Sequence, residues 1–287
     1  MGLCKLCKNK ESIKNSHLIP QFITDWIRNT SVTGKFRTAV LPNKRVQDSK
    51  KVDSLCEDCE NLFSKFEGYF SEVIFKPVMN SYNPVVDYTE SLLKFAVSLS
   101  WRILVLKIYG YQWKILDHNL AAQRAEKQWR EYLLNNTKMI GYEHHILMLR
   151  FVEDAPTIEG TDVDINFYFH RAVDATIAQN SEEAFVYIKL PGFVIISPIY
   201  PRTLTHMVGT LIKEKGALEF YKQEIDSKIF QFFVSRSILT LSSIGSISRR
   251  QWDKIELDYS KNMDKIQDSY GFKLFLLKER KKNGLNR

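Results

Sequence analysis

Three short segments decide how the first part of this 287-residue chain folds: Cys4-Lys-Leu-Cys7, Ser16-His17-Leu-Ile-Pro20 and Leu55-Cys56-Glu-Asp-Cys59-Glu60-Asn61. All four cysteines of the protein lie in the two CxxC pairs, and 48 residues separate the pairs. Four thiolates at this spacing are typical ligands of tetrahedral zinc and leave no open coordination position. We therefore predict a structural zinc ion bound by Cys4, Cys7, Cys56 and Cys59, which braces the long loop around His17.

Composition and charge indicate a globular protein with an anionic partner. Hydrophobic residues make up 44% of the chain and charged residues 26%, which are values of folded domains. The formal net charge is +8, and the excess of Lys and Arg lies in residues 1–60 and 272–287. A basic balance of this size favours nucleic acid as a partner.

The chain carries no pattern that predicts membrane insertion. Its start lacks the apolar run of a signal peptide, and the most apolar window, residues 95–109, contains Arg102 and Lys107. Cysteines confined to CxxC pairs fit metal binding in a reducing compartment better than a disulfide framework. We expect a cytoplasmic protein that has no membrane partner.

Hydrophobic periodicity predicts an α+β chain of two domains. Residues 1–78 form the zinc-binding module, with a loop or hairpin at 30–51 and a helix at 59–74 that Pro77 ends. Residues 85–287 form a mixed α/β domain after a linker at 80–87. Its predicted elements are a central buried helix at 89–109, a second helix at 117–135, a small sheet at about 144–199, and C-terminal helices at 248–267 and 272–282. The sheet includes a strand at 163–172 and a hairpin at Pro191-Gly192.

The module also carries residues suited to acid–base chemistry. His17 can accept a proton from water near neutral pH. Glu60 and Glu67 are seven residues apart and share one helix face, and with Asn61 they could hold Mg²⁺ or Mn²⁺ through oxygen. The alternatives are that His17 is a structural residue bonded to a carbonyl, that Glu60 stabilises the helix N-terminus and that Glu67 forms a salt bridge.

The order of these motifs resembles the zinc-bearing branch of the HNH, or ββα-metal, endonuclease superfamily. More narrowly, it is similar to bacterial HNH-like proteins with a Ser-His-Ile-Ile-Pro signature and a later Ser-x-x-Trp-Arg helix, here Ser98 to Arg102. The resemblance implies a ββα-metal fold and a metal-dependent endonuclease that hydrolyses phosphodiester bonds, with DNA favoured over RNA. It also implies His17 as general base and Ser16 and Glu60 as ligands of the catalytic ion.

Three positions depart from the family pattern. Ser16 stands where the family commonly has Asp, and Glu60 stands where it commonly has His or Asn, with Asn61 next. The central asparagine of the motif has no match among Lys51, Val52 and Asp53. The alternative function is therefore a non-catalytic zinc-finger protein that binds nucleic acid or is a subunit of a larger complex. By analogy, we expect a role in bacterial antiphage defence with a protein partner such as an ATPase.

Basic residues near the motifs are the candidate nucleic-acid contacts, because Lys and Arg neutralise phosphates. These residues are Lys14, Arg28, Lys44, Arg45, Lys50 and Lys51.

Overall fold

The computed structural model describes residues 2–13, 16–46, 49–81, 84–109, 118–135, 137–152 and 165–282, which form a mixed α+β structure. The chain divides into two compact units. The first contains Met1–Ile19, Lys50–Leu149 and Val173–Ser227, and the second contains Pro20–Ser49, Arg150–Ala172 and Lys228–Arg287. The predicted boundary between residues 78 and 85 falls inside the first unit.

The elements are numbered in chain order. The helices are α1 (Gln21–Asn29), α2 (Glu57–Tyr69), α3 (Lys76–Ser81), α4 (Glu90–Ile108), α5 (Asn119–Asn135), α6 (Ile165–Arg171), α7 (Ser227–Gly245), α8 (Arg249–Lys261) and α9 (Tyr270–Lys282). The strands are β1 (Ser16–His17), β2 (Phe36–Arg37), β3 (Arg45–Val46), β4 (Lys51–Val52), β5 (Val85–Tyr88), β6 (His145–Met148), β7 (Asp174–Gln179), β8 (Ala184–Leu190), β9 (Phe193–Tyr200) and β10 (Gly216–Glu219). Within the described ranges, none of these helices has the length and apolar character that crossing a bilayer requires.

The first unit begins with a short antiparallel pair, β1 and β4, that leads into α2. Ser16 lies opposite Val52, and His17 lies opposite Lys51. Two backbone hydrogen bonds extend the pair: the Leu18 N–H donates to the Lys50 carbonyl at 3.0 Å, and the Ile13 N–H donates to the Leu55 carbonyl at 2.7 Å. These bonds hold the His17 segment against the chain that enters the second CxxC pair.

The helix after the second CxxC pair does not end at Pro77 as predicted. After Tyr69 it widens into a π-helical segment, Phe70–Phe75, and continues as α3. Pro77 follows directly on this π-helical segment, where the Lys76 N–H bonds to the Ser71 carbonyl five residues earlier and the α-helical ladder is already interrupted.

Helix α4 is the buried centre of the first unit, as the apolar run predicts. It begins after the N-cap Thr89, and every residue from Phe95 to Val105 is buried. The Phe95 ring stacks on Phe70 with 4.0 Å between centroids, and the Trp101 ring meets Phe63 edge-on at 6.0 Å. The helix therefore anchors α2, and with it the cysteine-bearing segment, in the core.

The main sheet is antiparallel, with the order β6-β9-β8-β7. Strands β8 and β9 form the predicted hairpin, in which Gly192 adopts a φ of +76°. The predicted strand at 163–172 is wrong: the described part forms α6, in which Tyr168 and Phe169 are buried and Phe167 is exposed. The apolar residues Ile165, Tyr168 and Phe169 also fit the spacing of a helix. The segment follows this helical period and not the strand-like alternation of apolar residues on which the prediction was based.

The predicted linker at 80–87 ends in a strand. Strand β5 pairs antiparallel with β10, and Val85 lies opposite Glu219. Because the partner is far away in the chain, no local pattern indicates the pairing.

The second unit joins α1, the β2–β3 hairpin and the helices α6 to α9. Phe233 of α7 packs on Tyr168 and Phe169, with centroid distances of 5.6 and 5.3 Å. Helix α8 begins after Ser248 as predicted, but it ends at Lys261 and no side-chain capping bond forms. The Gln251 side chain instead accepts a hydrogen bond from Arg37 Nη2 at 3.2 Å.

Candidate metal centre and catalytic residues

The four cysteines form a cluster that could hold a metal ion. Their sulfur atoms all lie within 4.8 Å of one another, and Cys7 Sγ is 3.7 Å from Cys56 Sγ. Tetrahedral zinc with Zn–S bonds of about 2.3 Å separates its sulfurs by about 3.8 Å. A disulfide would need about 2.05 Å. The donor atoms and their spacing therefore fit a four-thiolate metal site.

Backbone hydrogen bonds set the geometry of the two knuckles. The Lys8 N–H donates to the Cys4 carbonyl at 2.9 Å, and Lys8 has a φ of +59°, which turns the chain sharply after Cys7. In the second knuckle, the first turn of α2 places Cys56 and Cys59 on one side, with Glu60 N–H donating to the Cys56 carbonyl at 2.9 Å.

A direct link joins the knuckles to each other. The Lys5 N–H donates to the Ser54 carbonyl at 2.7 Å, just before the second CxxC pair. The cluster is thus positioned by main-chain contacts as well as by any bound ion.

The thiols perturb one another strongly. The hydrogen bond from Cys59 lowers the pKa of the Cys4 thiol well below its usual range. The same bond, together with burial, raises the pKa of Cys59. Negative charge on buried sulfur is costly without a compensating cation. A bound metal cation would supply that compensation and would favour deprotonated thiols.

Within the part of the chain that the structure describes, these cysteines are the one group of three or more His, Cys, Asp or Glu side chains that could hold a metal ion. The predicted second metal site, the catalytic one, includes a hydroxyl ligand, Ser16, and an amide ligand, Asn61. Because neither is a His, Cys, Asp or Glu side chain, the grouping above does not test this site, and it stays a prediction.

Ser16 and His17 lie on β1, and adjacent strand residues face opposite sides. Ser16 is buried, and its Oγ accepts a hydrogen bond from the Leu55 N–H at 3.2 Å. His17 is half-buried and shares its side of the ladder with Lys51. Ser16 therefore supports the fold at this point, and His17 occupies the other face.

Helix α2 carries Glu60, Asn61 and Glu67. Glu60 lies in the first turn, and its Oε1 is buried with no hydrogen-bond partner among the described residues. Asn61 is exposed. Glu67 accepts a hydrogen bond from Arg102 Nη2 at 2.6 Å, as the salt-bridge alternative expects. Glu60, rather than Glu67, is therefore the carboxylate left available for a ligand.

The predicted nucleic-acid contacts divide between the two units. Lys50 and Lys51 belong to the first unit and are exposed. Arg28 and Arg45 belong to the second unit. Arg28 Nη1 lies 3.7 Å from Asp25 Oδ1, and Arg45 Nη1 forms an ion pair with Asp258 Oδ2 at 2.8 Å. Lys44 of the second unit is exposed. Lys14 lies outside the described residues.

Sequence reasoning missed a polar cluster in the core of the first unit. Trp101 Nε1 donates to Glu126 Oε1 at 3.2 Å, and Arg130 Nε donates to the same oxygen at 3.1 Å. Arg102, the next residue of α4, pairs with Glu67. The sequence feature that could have indicated this cluster is the pair Trp101 and Arg102, whose side chains carry hydrogen-bond donors in a mostly apolar run.

A second buried network joins α4 to the sheet. Ser197 Oγ lies 2.7 Å from both Ser100 Oγ and His144 Nδ1. Complete burial lowers the pKa of His144 to about 3, and the nearby His145 adds to the effect. The imidazole is thus neutral, and its enclosure argues for a structural role.

Comparison of the chain with protein-family models, curated proteins and solved structures gave no match.

Proposed function

We propose that this protein is a metal-dependent endonuclease of HNH-like type that hydrolyses phosphodiester bonds in DNA. The supporting observation is the order of elements in the first unit: two antiparallel strands, β1 and β4, followed at once by α2 and clasped by the four cysteines. His17 lies on the first strand and Glu60 at the start of the helix, which are the positions that the resemblance assigns to the general base and a metal ligand.

In this proposal the cysteine cluster holds zinc in a structural role. Four thiolates complete a tetrahedral shell and leave no site for substrate or water. The ion would connect the knuckle at Cys4 and Cys7 to the first turn of α2. It would thereby fix the position of the strand that carries His17.

The catalytic steps fall to side chains outside that cluster. The His17 imidazole would take the proton of the attacking water. Glu60 Oε1, which has no hydrogen-bond partner among the described residues, would hold Mg²⁺ or Mn²⁺ together with Asn61, without the buried Ser16 hydroxyl, which already accepts the Leu55 N–H. When bound, that ion would supply stabilisation of the negative charge that develops on the phosphate and the leaving oxygen. Glu67 leaves this ligand set because it pairs with Arg102.

A cleavage assay tests the proposal. Supercoiled plasmid is incubated with the full chain and Mg²⁺ or Mn²⁺, and nicked and linear products are followed over time. We expect cleavage by the wild type, strong loss in His17→Ala and Glu60→Gln, and activity close to wild type in Lys215→Ala, an exposed substitution remote in sequence from both knuckles.

A second function is favoured by the hydrogen bonds that occupy Ser16 and Glu67. These side chains bind the Leu55 N–H and Arg102, so two predicted ligands already have structural partners. A zinc-braced protein that binds nucleic acid without cutting it, alone or as a subunit beside an ATPase, needs neither ligand. Salt-sensitive DNA binding by a wild type that cleaves no DNA would favour it. A cytoplasmic, antiphage setting remains our proposal from the resemblance for either function.

A further inference from the structure

A cleft of ≈ 240 Å³ lies beside the cysteine cluster in the first unit. One wall is the chain that enters the second knuckle, with Asp53 and Ser54, and the other is the face of α4 that carries Trp101 and Arg102. Lys5 and Tyr109 also line it. The volume is somewhat below the range of about 300–1,000 Å³ for pockets that enclose drug-sized ligands, so it suits a small unit such as one base.

Arg102 lines this cleft with unused hydrogen-bonding capacity. Its side chain is only 4% exposed, and its Nη2 binds Glu67. Arg102 Nε and Nη1 are buried and have no hydrogen-bond partner among the described residues. The guanidinium lies 4.8 Å from the Phe63 ring centroid, which restrains its plane. Buried donors without acceptors are rare in folded proteins, and a ligand oxygen is one explanation of them.

A second cleft, of ≈ 290 Å³, adjoins the first at Tyr109. Its lining includes Lys8 from the first knuckle and Lys127 and Arg130 from α5. The Glu126 carboxylate also borders it and is already bound by Trp101 and Arg130. We refer to the two clefts together as the Tyr109 groove.

Charge and aromatic character coincide in the Tyr109 groove. Its lining contains four cationic side chains against two carboxylates: Lys5, Lys8, Lys127 and Arg130 against Asp53 and Glu126. The charge of the fifth cation of the lining, Arg102, is compensated by Glu67. Tyr109 is 52% exposed at the junction, and the Lys5 ammonium lies 5.0 Å from its ring centroid. Basic grooves that present an aromatic ring bind unpaired nucleic-acid strands, because phosphates meet the cations and a base stacks on the ring.

We propose that the Tyr109 groove binds single-stranded nucleic acid. A base stacks on Tyr109, and the flanking phosphates lie against Lys5, Lys8 and Lys127. Val105 and Leu106 of α4 supply the apolar wall of the cleft beside the base. The inference rests on the proposed function only for its choice of nucleic acid as ligand, and it requires no cleavage. Of the residues in the β1–β4 ladder, Val52 lines the groove and His17 does not.

Fluorescence anisotropy with a labelled oligothymidylate of about 16 nucleotides tests the groove. The full chain carries His17→Ala throughout, so that binding is measured apart from cleavage. We expect Tyr109→Ala to weaken binding about fivefold or more, the loss of one stacked base. Lys127→Ala should reduce the slope of log K against log salt by about 0.7, the loss of one phosphate contact on a single strand. Asp53→Asn should tighten binding.

Lys215→Ala is the matched control, because it removes an exposed positive charge of the first unit outside both clefts. Lys127 and Asp53 are exposed, so their substitution leaves the core intact. The proposal is overturned if Lys127→Ala and Tyr109→Ala bind like Lys215→Ala, or if a duplex of equal length binds more tightly than the single strand. Plasmid cleavage by the His17-containing protein together with absent oligothymidylate binding would overturn the groove alone and leave the nuclease proposal standing.

Discussion

Arg102 and Glu67 form a buried ion pair in which Arg102 Nη2 lies 2.6 Å from Glu67 Oε1. The pair joins α4, the centre of the first unit, to the helix that begins at the second CxxC pair. The two side chains are 4% and 18% exposed, so solvent screens the pair weakly. One interpretation of the sequence made Glu67 a ligand of a catalytic ion. In the structure, Glu67 instead connects the helix of the second CxxC pair to the core.

Removing the Glu67 carboxylate should destabilise the first unit. Glu67→Ala leaves the Arg102 guanidinium buried without its counter-charge, and we expect a loss of about 3 kcal/mol in the free energy of unfolding, measured in urea. The double variant Glu67→Leu with Arg102→Met removes both charges and should recover most of that loss. A single variant as stable as the wild type would contradict this role of the pair.

Metal removal should unfold the region of the cysteine cluster. We expect one zinc ion per chain by elemental analysis, and a chelator or Cys59→Ser should remove it and lower the melting temperature, because a structural metal contributes binding energy only to the fold. Ser64→Ala, an exposed substitution on the same helix, serves as control. If a chelator removed the zinc from the wild type and left its melting temperature unchanged, that result would contradict the structural assignment.

His144 should make the fold sensitive to acid. Its pKa is about 3 in the fold, because of burial, and about 6.5 when unfolded, so protonation favours the unfolded chain. This contribution to stability is complete above about pH 6.5 and is lost as the pH falls toward 3. At pH 5 the loss is about 2 kcal/mol, from about 1.4 kcal/mol per pH unit.

The thiols of the cluster also take up protons in acid, so the comparison that isolates His144 is between variants. His144→Gln should lose less stability than the wild type between pH 7 and pH 5, measured by urea midpoints at each pH. Equal losses in both proteins would show that the imidazole is not buried in its neutral form.

The β8–β9 turn should favour glycine at position 192 over residues that carry a Cβ. Gly192 has a φ of +76°, and a Cβ there would lie 2.3 Å from Met79 Sδ, so Gly192→Ala should cost at least 1 kcal/mol or so in unfolding free energy. Gly68→Ala is the matched substitution, because a Cβ meets nothing within 4 Å and the residue lies in α2. It should stabilise by up to about 1 kcal/mol. The same sign of change in both variants would contradict the turn geometry.

Elements with a strong local pattern could be predicted from the sequence. The run from Phe95 to Val105 is apolar around its circumference and forms α4, and Pro191-Gly192 forms the turn between two apolar strands. Pairings between distant segments could not be predicted. Strand β5 is stabilised by β10 more than a hundred residues later, and α6 carries an alternation that also fits a helix.

In the candidate site, too, the local motifs could be predicted from the sequence, and the tertiary contacts could not. The spacing of Cys4, Cys7, Cys56 and Cys59 predicts a shared metal site, and their sulfur atoms do lie together. The partner of Glu67 could not be predicted, because Arg102 is 35 residues away and reaches it only through the packing of α4 on α2. The acceptor role of Ser16 also depends on a tertiary contact, the Leu55 N–H.

The most direct test of the central claim compares wild type and His17→Ala in plasmid cleavage with Mg²⁺ or Mn²⁺, after elemental analysis and thermal unfolding have shown equal zinc content and equal melting temperature. The account predicts nicked and linear DNA with the wild type and a loss of at least about a hundredfold in rate in the variant, the usual contribution of a general base. Equal cleavage rates in the two proteins would contradict it.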